Sequence, residues 1–398
     1  MDPLILSGAQ IIDGTGAEPV RGRSVVVEDG RVAAVVDDAR APRGRRVDLD
    51  GATLLPGLIN AHVHLCMGAE ADPVGAMKAE TLAATTIKAL VRARETLAAG
   101  VTTVRDLGGR DYCELALRQA IRDGLVEGPR ILAAGRPVCM TGGHGHWLGR
   151  EADGPDDVRR AVREQLKAGV DLVKLIATGG VLTAGVEPGA AQLTLEEMRA
   201  AVEEARKASR RTAAHAQGSE GIADAVRAGI TSIEHGIFLT EEIVARMLRA
   251  GTYLVPTLNA PAAIVAGGVA AGVPEYAVRK SAAVMADHVK SFRLALERGV
   301  AIAAGSDAGT PFNRHGSLVP ELSLMVEQGM TPLQAIRSAT SVAADLLGLG
   351  DRIGRIAPGY AADLIAVRGE PASRIEALAH PATVWVSGRA LSASASAR

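Results

Sequence analysis

Between residues 54 and 306, short apolar runs alternate with longer stretches whose apolar positions recur at helical spacing. The short runs lie at 54–60, 102–106, 131–134, 172–177, 212–216, 232–235, 253–257 and 301–306, which makes eight. They are rich in Val, Ile, Leu and Ala, and each is short enough to be a buried strand. The stretches between them read as helices. Residues 83–99 and 156–168 carry Leu, Val or Ile on one face and Arg or Glu on the other. Thr194-x-x-Glu197 and Thr331-x-x-Gln334 are capping boxes, the second with Pro332 at the first helical position. Gly100, Gly169, Gly229, Gly251 and Gly299 each stand just before a strand, where a glycine closes the preceding helix in a left-handed turn. Eight strand–helix units predict an α/β fold of the (β/α)8 barrel type. A doubly wound open sheet is the competing arrangement. It calls for a glycine-rich phosphate loop after a strand, and no convincing GxGxxG is present.

The two ends read differently. "LILSGAQIID", "SVVVEDGRVAAVVD", "AADLIAVRGEP" and "ATVWVSGRAL" are short strands separated by Gly and Asp turns. "EDGRVAAVV" is a hairpin signal with Asp29-Gly30 at its turn. Residues 1–55 and 357–398 are therefore expected to pair into a composite β-sandwich beside a barrel spanning 56–356. The closing "SASASAR" is expected to fray.

Composition narrows the partners. The 398 residues are 47% hydrophobic but only 2% aromatic, so the core is aliphatic and a substrate pocket has few rings for stacking. A net charge of −1 gives no footprint for nucleic acid or for an anionic membrane. Three irregularly spaced cysteines form no disulfide framework and no CxxC clip. No signal peptide or membrane-crossing run is read, so a soluble cytoplasmic protein is expected, with a homo-oligomer compatible.

Candidate chemistry collects at the strand ends. In "LPGLINAHVHL", His62 and His64 are two apart and share one face of a strand. His215 ends the fifth run, His235 the sixth and Asp307 the eighth, while Lys174 lies within the fourth. A barrel places its chemistry at the C-terminal ends of its strands. Four of the nine histidines fall there. A lysine inside a barrel is costly unless paired. A salt bridge to Asp307 is one outcome. Conversion by carbon dioxide to a carbamate, which supplies two oxygens able to bridge two metals, is the other. The second completes a ligand set: His62, His64 and Asp307 on one divalent ion, His215 and His235 on another, and carboxylated Lys174 between them. Nitrogen and oxygen ligands without thiolate suit zinc, with manganese, cobalt or iron as alternatives.

"PGLINAHVHL", "VKLIATGGV", "HAQG", "EHG" and "GSDAG" resemble the amidohydrolase superfamily, binuclear subtype. "MTGGHGH" and the closing "GMTPLQAIRSATSVAADLLGLGDRIGRIAPGYAADLIAV" resemble the branch that holds Xaa-Pro dipeptidases and related carboxypeptidases, with imidazolonepropionase more distant. The resemblance covers nearly the whole chain. It implies hydrolysis of an amide bond in dipeptides or N-acyl amino acids by a hydroxide held between two metals. Asp307 would serve as ligand and proton shuttle, and replacing it by Asn should leave metal bound but depress turnover. His144 would polarise the substrate carbonyl or contact its carboxylate, and Tyr253 would be an oxyanion donor. His146, where an acidic residue is usual in the dipeptidases, His315 and Arg136 are further candidate substrate contacts. Arg314 could hold a carboxylate with Arg136 or form a surface pair. His288 and His380 read as structural or exposed. An esterase, lactonase or phosphotriesterase on the same metal centre is the alternative. The small, apolar, Gly-rich stretch 259–274 fits a mobile lid or a plain linker.

Overall fold

The computed structural model of the chain describes residues 2–316 and 318–391. Parallel barrel strands run Leu58–Val63, Val101–Asp106, Arg130–Ala133, Leu172–Ile176, Arg211–Ala216, Ser232–His235 and Tyr253–Val255. The first three form one sheet, and the next four belong to a second. Asp171 N–H donates to Ala133 C=O at 2.9 Å and joins the two sheets on one side. The other side closes through residues 301–306, where a continuous eighth strand was expected. A single parallel bridge, Leu254 to Ile302, is formed there. The rest of that segment is stitched by other means. Ala61 N–H donates to Ala304 C=O at 2.9 Å and Asp307 N–H to His62 C=O at 2.8 Å. The Asn60 carboxamide spans the gap, donating to Ser306 Oγ at 2.8 Å and accepting from Ser306 N–H at 3.0 Å.

The first run corresponds to two strands rather than one. Thr53–Pro56 pairs antiparallel with Leu364–Val367, and Leu58–Val63 pairs with the second barrel strand. Pro56-Gly57 is the crossing point. A Cβ at Gly57 would lie 2.2 Å from Thr102 Oγ1, so only glycine lets the chain pass from one sheet to the other at this spacing. Gly57→Ala is expected to cost about 1–3 kcal/mol through overpacking, read from urea unfolding.

The helices follow the capping chemistry. Both capping boxes are formed, at Leu195–Lys207 and Pro332–Ser338. Gly169, Gly229, Gly251 and Gly299 close their helices at φ +89°, +89°, +67° and +80°. Residues 259–274, expected to be a mobile lid or a plain linker, are not a plain linker: Asn259–Gly267 is a helix, with Ile264 fully buried. No helix among the described residues is long and apolar enough to cross a membrane.

The chain ends make two further sheets. One orders Arg31–Asp37, Arg23–Glu28, Leu4–Ser7 and Arg45–Asp48. The other orders Arg389–Ala390, Pro381–Val386, Leu364–Val367, Thr53–Pro56 and Gln10–Ile11. Leu6, Val25, Val27, Leu54, Leu364 and Trp385 from both form one buried cluster. The closing 392–398, expected to fray, lies outside the described residues.

Candidate metal centre

His62 lies on the first barrel strand and His64 one residue past its end. Their Nε2 atoms stand 3.3 and 3.4 Å from Asp307 Oδ1. One ring or carboxylate atom from each of His62, His235 and Asp307 falls within 4.8 Å of the others. The His62 ring centroid is 5.3 Å from that of His235, which is 4.6 Å from that of His215. Lys174, 2% exposed, lines the same cavity.

Each of the four imidazoles has one nitrogen already engaged. His62 Nδ1–H donates to Glu234 Oε2 at 3.0 Å, and His64 Nδ1–H to Gly108 C=O at 3.0 Å. His215 Nε2–H donates to Gly179 C=O at 3.0 Å. His235 Nδ1 pairs with Thr257 Oγ1 at 2.7 Å. The outer partners fix ring orientation and leave the other nitrogen of each ring for the centre, as metal sites require. Burial holds His62, His215 and His235 well below the ordinary imidazole pKa, with the Lys174 charge and neighbouring histidines adding to it. These rings are neutral, the form that ligates. Burial also pulls His64 down, but its hydrogen bond to Asp307 and the charges of Asp307 and Asp106 raise it above the ordinary value. Burial pushes the Asp307 carboxyl up, yet His62, His64 and Lys174 hold it ionised at about 2. Burial lowers Lys174 to about 8. No carboxylate among the described residues lies within ion-pair distance of its amine, so the alternative outcome, a salt bridge to Asp307, is not formed. This donor set fits divalent cations: neutral oriented imidazoles, an ionised carboxylate and an unpaired buried amine.

Two charged residues that support this set were not picked out in the sequence. Arg105, 3% exposed, donates to Glu234 Oε1 at 2.8 Å and Oε2 at 3.0 Å, to Ala61 C=O at 2.6 Å and to Ser232 Oγ at 2.9 Å. Glu234 thus carries both Arg105 and His62 inside the barrel. An arginine and a glutamate inside the strand candidates "TTVRD" and "SIEH" were the available signal.

His144 reaches the cavity, its ring centroid 4.4 Å from that of His215 and its Nδ1 2.7 Å from Thr183 Oγ1. Burial lowers it to about 3. A Cβ at Gly180 would lie 2.5 Å from His144 Nε2, so the ring rests on bare backbone.

The other candidate contacts are placed elsewhere. Tyr253 opens the seventh strand and packs against the buried cluster that includes Leu346, Leu347 and Ile353. That is the N-terminal end of the barrel, opposite the histidines, and Tyr253 is absent from the cavity wall. Arg136 donates to Gly149 C=O at 2.6 Å and is absent from the cavity wall. His146 is exposed, its Nδ1–H donating to Gly143 C=O at 3.0 Å within its own turn. His315 is buried outside the cavity and ties Met67 C=O at 2.8 Å, pinning the loop after the first strand. Arg314 and His380 are exposed. His288 is structural and lines the cavity, its Nε2–H donating to the carbonyls of His235 at 3.1 Å and Pro256 at 2.7 Å.

A closed strand ring with histidines, a lysine and an aspartate at one end is an amidohydrolase arrangement. Residues 53–391 match the Amidohydrolase family, and the chain belongs to it. It is 32% identical to an ochratoxinase of Aspergillus niger over 424 aligned residues, covering 97% of this chain and 86% of that one. Among solved structures, a Xaa-Pro dipeptidase with methionine bound in its active site superposes with a TM-score of 0.90 at 33% identity, covering 98% of this chain and 99% of the other. A prolidase complexed with N-methylphosphonate-L-proline gives 0.91 at 31% identity, with 98% and 99% covered. The protein is accordingly a hydrolase of this family.

Proposed function

We propose that the chain is a binuclear metal-dependent amide hydrolase acting on dipeptides or N-acyl amino acids. The observation that carries this reading is Lys174: an amine 2% exposed, without a carboxylate partner, set among four oriented imidazoles and Asp307. Burial favours its neutral form, which is the form that adds to carbon dioxide. His62, His64 and Asp307 would hold one ion, His215 and His235 the other, and the Lys174 carbamate would join them. When bound, two zinc or similar ions polarise a carbonyl and lower the pKa of water at neutral pH.

The chain's own residues do the rest. Asp307, ionised and within 3.4 Å of both first-strand imidazoles, takes the proton of the attacking water and delivers it to the leaving amine. His144, its Nδ1 held by Thr183, offers Nε2 to the scissile carbonyl oxygen. Apolar walls from Leu182, Ile237, Ile264 and Val284 exclude water from the rest of the substrate. We assign the barrel to 56–356 and a composite β-sandwich to 1–55 and 357–398. The relatives point to amide substrates. The ochratoxinase and prolidase names belong to those proteins, and the likeness to them supports amides over lactones.

The test joins metal analysis to a substrate panel. About two ions per chain and turnover of dipeptides or N-acyl amino acids are expected. Turnover of lactones or phosphotriesters alone would shift the assignment to an esterase-type enzyme. Lys174→Arg should lose bridged metal and turnover together. Protein grown with 13C-bicarbonate should show a carbamate carbon signal that the variant lacks. An unmodified amine in a zinc- and bicarbonate-treated protein would defeat the proposal.

A further inference from the structure

We propose that Lys280 is a positioning residue: it fastens the loop after the fourth strand to the helix Glu275–Arg298 and so keeps His144 aimed into the cavity. This deepens the amide-hydrolase reading and rests on it, because the carbonyl that His144 polarises is the one that reading assigns. Lys280 is 2% exposed. No carboxylate among the described residues lies within ion-pair distance of its amine, and Glu187 acts on it only from farther away. Burying an ammonium without a paired anion is costly, so its remaining partners have to be good ones. They are backbone carbonyls. Nζ donates to Thr183 C=O at 2.8 Å and to Val186 C=O. One turn earlier on the helix, the Tyr276 hydroxyl donates to Leu182 C=O at 3.3 Å. The Lys280 amine lies 5.7 Å from the Tyr276 ring centroid, within reach of a cation–π contact.

These carbonyls belong to the long connection 177–194, which holds no helix or strand of its own. Irregular connections of this length are uncommon in compact domains unless they serve the site. This one cradles His144. The His144 Nδ1 meets Thr183 Oγ1 at 2.7 Å, its backbone N–H donates to Gln192 Oε1 at 3.0 Å, and its ring lies against Gly180. Thr183, 5% exposed, is thus held at both ends, its carbonyl by Lys280 and its hydroxyl by the imidazole. Val284 and His288, four and eight residues beyond Lys280 on the same helix face, line the cavity. Lys280 therefore ties the ring to a helix that is itself part of the cavity wall. Losing that tie leaves the Gly180 and Gln192 contacts but frees the segment around Thr183. A shift of about 1 Å in a group that must meet a reacting atom costs on the order of 10²-fold in rate.

Lys280→Met removes the donors and the charge, and should lower kcat on an amide substrate by about 10–100-fold. Lys280→Arg brings a cation with several donors to the same carbonyls and should restore most of the rate. Lys280→Gln keeps N–H donors, should lose less, and covers failure of Lys280→Met to fold. Coupling to His144 separates positioning from stability. In a His144→Ala background, Lys280→Met and Lys280→Gln should lower kcat by less than about twofold, because the group they act through is gone. A lysine that only stabilised the fold would cost the same in both backgrounds. Ring-15N histidine NMR needs no turnover. The signals missing from His144→Ala belong to that ring; Lys280→Met should move them and Lys280→Arg should return them. If no amide is hydrolysed but the signals move and return, the amide-hydrolase reading fails and Lys280 stands. If amides are hydrolysed with an equal kcat loss in both backgrounds, or the His144 signals are unmoved by Lys280→Met, the role of Lys280 is overturned.

Discussion

Asp307→Asn is expected to lower kcat by about 10²–10⁴-fold while the metal complement stays in place. The substitution is isosteric and keeps an oxygen where Oδ1 meets His62 Nε2 at 3.3 Å and His64 Nε2 at 3.4 Å. It is also tolerated by the backbone. Residue 307 has φ +57°, a left-handed conformation that asparagine adopts readily and most other residues resist. What the variant lacks is a site for a proton. A carboxylate held at about 2 is ionised throughout the working range and can accept one, whereas a carboxamide cannot. Metal analysis beside steady-state kinetics separates the roles. Metal retained with turnover depressed identifies the shuttle. Metal lost in proportion to activity would make Asp307 a ligand only, and near wild-type kcat with metal retained would remove it from proton transfer.

The barrel was legible because its strands are short aliphatic runs punctuated by helix-closing glycines. Every expected strand but the first and last falls within two residues of the observed one at each end. The first failed because pattern cannot show that Thr53–Pro56 and Leu58–Val63 pair with different partners. The last failed because the Asn60 side chain replaces ladder bonds at Ser306, a tertiary substitution invisible in periodicity. The inner site was legible from histidines at strand ends. Its exact aim was not. Strand alternation sends Glu234 and His235 to opposite faces, yet both face the centre, and His235 has φ +73°. Thr257, which holds the His235 ring, has φ +53°. Such left-handed residues are set by packing and have no marker in the sequence. Tyr253 was misplaced for a simpler reason: it begins its strand, and the rule that catalytic groups occupy the C-terminal ends already argued against it. His146, His315 and Arg136 sit on loops, where direction depends on contacts made elsewhere.

Glu234→Ala should destabilise the metal-free protein by about 3–5 kcal/mol, because it strands a buried guanidinium. Arg105 is 3% exposed and makes its only ion pair among the described residues with Glu234. Burial lowers the Arg105 pKa, and the Glu234 charge and hydrogen bonds are what oppose that. The same substitution frees His62 Nδ1, so the ring loses the acceptor that fixes its orientation. Stability and ligation can be separated with the double variant Arg105→Met, Glu234→Met. Two apolar side chains of similar length remove the unpaired charge, so much of the stability should return. The His62 ring stays unanchored, and zinc affinity should remain down by about 10–100-fold, as for lost outer-sphere partners of metal-bound histidines. Urea unfolding of the metal-free proteins and competitive zinc titration measure the two quantities independently. If the double variant recovered wild-type zinc affinity along with its stability, Glu234 would be a counter-ion to Arg105 alone, and the orientation of His62 would have to come from Asp307 and the strand itself.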